Sequence, residues 1–331
     1  MALGAIDNIN ERPLPSNPGV YMKTLYILTK SIIFYIVIIL FTASCTHVAS
    51  EEKRADVKKI GTINVSFLDE VSGIAMSRHR EDVFWVLNDS GNSASVYAIG
   101  LGGKPAGVVN IAGVKNNDWE DIATFEFEGK PYIVVADVGD NFANRSRCFL
   151  FFIEEPDTKK IKMGSPITLK PSWSITFTYE DGPRDCEAVA VDTVAGKILL
   201  LSKRDTPPVL YELALAKKTE KNGVAKRITV IKPLPQKGQG IGDFLSMSNM
   251  TTAMDISSDG LNAVVLTYAG AYLYRKEKDE EWGKAFSATP VEIPLPVMPQ
   301  SESICFGRDT YTLFVTTEQI PAPLYRVELK R

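Results

Sequence analysis

The 331-residue sequence predicts an all-β fold, on three observations. Short runs rich in Val, Ile, Leu, Phe and Tyr recur from about residue 58 onward, separated by turns of Gly, Asn, Asp and Pro. No long stretch between them carries the period of an amphipathic helix. One phrase returns five times, a polar or acidic residue followed by small and apolar ones: EVSGIAMS (Glu70–Ser77), DWEDIA (Asp118–Ala123), DCEAVAVD (Asp185–Asp192), TTAMDIS (Thr251–Ser257) and QSESICF (Gln300–Phe306). A chain made from one repeated unit of three or four antiparallel strands is expected to close into a β-propeller.

The N-terminal segment reads as targeting signal and not as fold. Lys23 and Lys30 precede an apolar run from Ser31 to Ser44, followed by a small-residue site. Ala43-Ser44-Cys45 resembles a bacterial lipobox, with Thr42 where an aliphatic residue is usual. The reading is therefore an upstream extension over 1–21, a lipoprotein-type signal over 22–44, Cys45 as the lipidated residue, and a tether over 45–57. The alternative is an uncleaved anchor, for which the run is short of the roughly 20 apolar residues of a span. Both place the rest of the chain at the bacterial cell envelope, outside the cytoplasm.

Each copy of the phrase opens a unit. In the first, VFWVLNDSGN (Val83–Asn92) and SVYAI (Ser95–Ile99) supply the next strands; in the second, PYIVVADVGDN (Pro131–Asn141) and CFLFFI (Cys148–Ile153) do. The third continues with KILLLSKRD (Lys197–Asp205) and VLYELAL (Val209–Leu215), the fourth with NAVVLTY (Asn262–Tyr268) and AYLYRK (Ala271–Lys276). The fifth has YTLFVTTEQ (Tyr311–Gln319) and PLYRVEL (Pro323–Leu329). Aligned on their small residues, the phrases mark Ser72, Glu120, Glu187, Thr252 and Glu302, spaced by 48 to 67 residues. A blade takes about 40–45 residues. The longer steps are thus expected to carry insertions, at Lys217–Lys226 and Gln236–Asp243. Only 29 residues follow Glu302, so the strand-like Lys58–Leu68 is expected to complete the last unit and close the ring. The count is five blades over 58–331, with six the alternative.

In an antiparallel hairpin the start of one strand lies beside the end of the next. Ser72 should therefore neighbour Asn88 and Asp89, Glu120 should neighbour Asp137, Asp140 and Asn141, Glu187 should neighbour Lys203 and Arg204, and Glu302 should neighbour Thr317 and Glu318. If the marked strands are innermost, their five residues ring one mouth of the channel. Trp119 and Ile122 then pack between blades, while Asp118 and Asp121 brace the ring or face solvent. Two carboxylates about 6 Å apart repel by about 3 kcal/mol at an effective dielectric near 20. Protons, a basic partner or a metal must offset that. Oxygen-only donors suit a hard cation such as Ca²⁺; the alternative is that these residues bond the backbone of adjoining blades.

The pattern resembles the calcium-activated nucleotidases (apyrases), through EVSGIA, FWVLNDSGNSASVYAI, DWEDIA, CEAVAVD, ILLLSKR and SESICF. It is also similar to bacterial propellers of the SdiA-regulated and phytase-like groups. The nucleotidase resemblance implies five blades around a central calcium, with Ser72, Glu120, Glu187 and Glu302 as ligands and Thr252 where the family has serine.

Composition narrows the chemistry. Charge is nearly balanced, at a formal −3 with 23% charged residues, so nothing marks a nucleic-acid binder. The only histidines are His47 and His79, the latter in a charged turn opposite the mouth, which disfavours a Ser-His-Asp triad. Cys45, Cys148, Cys186 and Cys305 form no CxxC pair, hence no zinc site of the usual kind. Cys148, Cys186 and Cys305 read as small buried thiols, with one disulfide the alternative. Three functions fit: an envelope binding or scaffold protein with a structural ion, a Ca²⁺-dependent phosphoester or phosphoanhydride hydrolase, and a lactonase-like ester hydrolase. For the hydrolase, Asp89 or Asp137 would orient water. Lys203, Arg204 and Arg145, with Asn88, Asp140 and Asn141, would hold a small phosphorylated molecule.

Overall fold

The computed structural model describes residues 55–232 and 249–330. The signal segment, Cys45, His47 and Gln236–Asp243 lie outside the described residues. Among those described the chain is nearly all β, and no helix is long and apolar enough to cross a membrane.

After β1 (Ala55–Ile63) come five antiparallel units. Unit 1 is β2 (Val71–Met76), β3 (Val83–Asn88), β4 (Ser95–Gly100) and β5 (Pro105–Ile111). Unit 2 is β6 (Trp119–Phe127), β7 (Lys130–Asp137) and β8 (Cys148–Glu154); β9 (Ile167–Leu169) then returns to pair in parallel with β5, and β10 (Trp173–Tyr179) completes unit 2 beside β8. Unit 3 is β11 (Cys186–Asp192), β12 (Lys197–Ser202), β13 (Val209–Ala214) and β14 (Glu220–Val230). Unit 4 is β15 (Thr251–Ile256), β16 (Asn262–Thr267), β17 (Gly270–Arg275) and, after the short helix α1 (Trp282–Ser287), β18 (Val291–Ile293). Unit 5 is β19 (Ser301–Phe306), β20 (Thr312–Thr317) and β21 (Ala322–Leu329), with β1 as its outer strand. Units 2 and 3 share one eight-stranded sheet because β10 and β14 pair in parallel.

The expected N-terminal strand is therefore present and pairs with β21. It begins at Ala55, three residues inside the segment assigned to the tether. One expectation is corrected: Lys217–Lys226 is no loop insertion, since Glu220–Val230 forms the outer strand of unit 3. Its charged residues fit an outer strand, of which only Ala225 is buried. By contrast β2, β3, β19 and β20 are buried along their whole length. Strands covered on both faces need unbroken apolar runs and not alternation.

The first strands contact one another in sequence: β2 with β6, β6 with β11, β11 with β15, β15 with β19, and β19 with β2. The buried apolar side chains follow the same circuit. One cluster joins units 1 and 2 around Trp85 and Trp119, and another joins 2 and 3 around Tyr132 and Tyr211. Others join 3 and 4 around Leu201 and Tyr272, 4 and 5 around Leu266 and Val315, and 5 and 1 around Phe314 and Phe84. Cys148, Cys186 and Cys305 are free, buried thiols within these layers.

Candidate metal centre

Each first strand carries the same irregularity at the same point. Val71 pairs with Asn88 and Gly73 with Leu87, so Ser72 is left over. Glu120 is skipped between Trp119 and Asp121, Glu187 between Cys186 and Ala188, Thr252 between Thr251 and Ala253, and Glu302 between Ser301 and Ser303. All five marked residues are thus the extra residue of a β-bulge, a device that re-aims a side chain at a strand's end. All five are also buried. The sequence marks the residues but carries no sign of the bulge.

The hydroxyls tie neighbouring units together. Ser72 Oγ donates to the Trp119 carbonyl at 2.9 Å, and Thr252 Oγ1 to the Ser301 carbonyl at 2.7 Å. Glu187 pairs with the Lys203 ammonium, which also donates to the Tyr268 hydroxyl at 3.0 Å; that hydroxyl donates to Glu302 Oε1 at 2.8 Å. Lys203 is only 7% exposed. Burial alone would lower its pKa, but Glu187, Glu302 and Glu120 outweigh burial and hold the ammonium above the usual lysine range.

Glu120 is different. Its carboxylate has no hydrogen-bond or ion-pair partner among the described residues. Instead Asp89, Asp118 and Glu120 each bring one carboxylate oxygen within 4.8 Å of the others. Burial, then the charges of Glu187 and Asp89, push Glu120 well above the ordinary glutamate range. Burial and the nearby Asp89 likewise raise Asp118 to about 6, against the pull of Arg145 and Ser90. Gly139 leaves the space these acids occupy: a Cβ there would lie 2.6 Å from Asp118 Oδ2 and closer still to Glu120 Oε1.

Other expected site residues are engaged by partners within the protein. Asp137 accepts from Asn117 Nδ2 at 2.8 Å and Arg145 Nη2 at 2.7 Å. Asp140 accepts from the backbone N–H groups of Asn144 and Arg145 at 3.0 and 2.8 Å. Arg204 donates to Asp185 Oδ2 at 2.6 Å and to Asn141. Asn88 donates to the Phe67 carbonyl at 2.8 Å, and the Asn116 amide spans the carbonyls of Asn88 and Asp89. His79 is exposed, with Nε2 3.0 Å from the Glu155 carbonyl.

Asp121 braces three units. Its carboxylate accepts from the N–H groups of Ile122 and Val189 at 2.8 Å and of Met254 at 3.4 Å. Asp118, for which the sequence offers bracing or solvent, instead joins this candidate cluster. The available signal was the spacing Asp118-x-Glu120, repeated as Asp185-x-Glu187.

The donor chemistry of Asp89, Asp118 and Glu120 fits a hard divalent cation: oxygen atoms only, converging, one of them buried and unpartnered. At the five marked residues the two hydroxyl protons and two of the three glutamates are already engaged by the protein. No family model matches the chain, and no curated protein is significantly similar to it.

Proposed function

We propose that the protein is a five-bladed β-propeller held at the bacterial cell envelope through Cys45, and that it acts as a binding or scaffold protein with a calcium ion at its mouth. The circuit of first strands and the closure of the last unit by β1 support the propeller. One observation carries the functional reading. Three carboxylates converge at Asp89, Asp118 and Glu120, whereas the cations a phosphate would need are paired with acids of their own. A bound calcium would neutralise those acids and offer positive charge to an oxygen-bearing group of an envelope partner. A phosphohydrolase would instead need Lys203, Arg145 or Arg204 free for phosphate and Asp137 free to orient water.

The test is a thermal melt of the purified protein in EGTA, in magnesium and in calcium. A ligand that binds only the native state raises its midpoint. With calcium a hundredfold above its Kd, the rise should be about 5 °C or more, and Asp118→Asn should abolish it. Equal midpoints in EGTA and calcium, with no metal in the purified protein, would refute the ion. Calcium-dependent turnover of nucleotides or phosphomonoesters would refute the binding-only reading.

A further inference from the structure

We propose that Lys203 is a resident counter-cation: its ammonium takes, among Glu120, Glu187 and Glu302, the role that the family resemblance gives to a central metal ion, and so restricts metal binding to the adjoining Asp89–Asp118–Glu120 seat. The second half of this statement rests on the reading proposed above; the first does not.

The argument begins with strand register. The residue just beyond the second strand of each unit stands opposite the start of the first strand. In units 1 to 5 these residues are Asp89, Val138, Lys203, Tyr268 and Glu318. Only unit 3 supplies a cation there. An ammonium has three donors and no acceptor, so it suits a site lined by carboxylates. Lys203 uses one donor on Glu187 and a second on Tyr268, whose hydroxyl passes the polarisation on to Glu302. Residues from units 3, 4 and 5 are joined in this way, with no metal needed among them.

A divalent ion in the same space would meet an ammonium that is already present. Ser72 and Thr252 spend their hydroxyl protons on adjoining units and keep their lone pairs, so the ammonium alone, and not the hydroxyls, stands against such an ion. On the Asp89–Asp118–Glu120 side the residues equivalent to Lys203 and Arg204 are Val138 and Gly139, which carry no charge. One mouth therefore neutralises part of its acid internally and leaves the remainder to a ligand.

The experiment is calorimetric titration of calcium into the full chain, with Lys203→Met, Lys203→Arg, Asp118→Asn and the double variant Lys203→Met/Asp118→Asn. The wild type and Lys203→Arg should bind one calcium, Lys203→Met two, Asp118→Asn none and the double variant one. In EGTA, Lys203→Met should melt lower than wild type, and calcium should restore it. Unchanged stoichiometry in a folded Lys203→Met protein would overturn the proposal. A wild type that binds none while Lys203→Met binds one would uphold the counter-cation and remove only the separate seat. Should Lys203→Met fail to fold, the nitrogen resonance of the Lys203 ammonium in wild type decides. Persistence of its contacts at saturating calcium supports the proposal, and displacement overturns it.

Discussion

In unit 2 the acids Asp118 and Glu120 face Val138 and Gly139, while in unit 3 the equivalent Asp185 and Glu187 face Lys203 and Arg204. The backbone treatment is the same in both. Each glutamate is the bulged residue, and each carbonyl two residues before it accepts the N–H beyond the second strand, Val138 N to Asp118 O and Lys203 N to Asp185 O. Only the side chains differ, and they reverse the electrostatics. Asp185 receives the Arg204 guanidinium and the Asp140 N–H, and Glu187 receives Lys203. Asp118 and Glu120 share their surroundings with a third acid, Asp89. A repeated backbone can thus hold the same acidic pair either paired with cations or beside a third acid, and two residues on the facing strand differ between the two.

Breaking the Glu187–Lys203 pair should have the largest effect. Glu187→Gln leaves Lys203 without its charged partner, and losing one member of a buried pair costs about 3–5 kcal/mol. The midpoint should fall in EGTA and in calcium alike, with the calcium-induced rise retained. A calcium response lost along with stability would mean that the two acidic pairs do not act separately.

Asp118→Asn should act in the opposite direction. Asp118 has a folded-state pKa raised to about 6, from an ordinary 3.8, chiefly by burial. Its carboxyl is tolerated while neutral, so its share of stability is intact below about pH 4 and is lost as pH rises through about 6. A two-unit shift is worth up to about 3 kcal/mol; screening at this partly exposed position reduces it to about 1 kcal/mol. In EGTA, Asp118→Asn should therefore be more stable than wild type at pH 7 by about that amount and equal to it at pH 4. Denaturant melts at the two pH values check this, and parallel curves for the two proteins would contradict it.

The smallest effect on folding is expected from Gly139→Ala. The added methyl must push Asp118 and Glu120 from their present positions, so calcium affinity should fall about tenfold, equivalent to about 1.4 kcal/mol. Stability in EGTA should change by less than that. Titration beside the melt separates the two quantities, and unaltered affinity would show that Gly139 does not shape the seat.

Much of this architecture could be read from residues alone. The first two strands of each unit announce themselves because they are buried along most of their length, as in VFWVLN and KILLLS. The outer strands do not. Glu220–Val230 is mostly polar and exposed, so its composition suggests a loop, and only pairing with β13 and β10 makes it a strand. The buried acids were legible through the repeat, but the way their charges are shared was not. Lys203 and Tyr268 are 65 positions apart in the chain, and no local pattern links them. Asp118 and Asp185 look alike in sequence; they diverge because Arg204 reaches one and Gly139 faces the other.

The pairing of β1 with β21 also has a consequence for the order of events in synthesis. Ala55 lies opposite Leu329, and Ile63 opposite Ala322. Contacts so distant along the chain close a very long loop, and such contacts slow folding. The seam cannot begin to form until Ala322–Leu329 has been made. Until then the last unit lacks its outer strand.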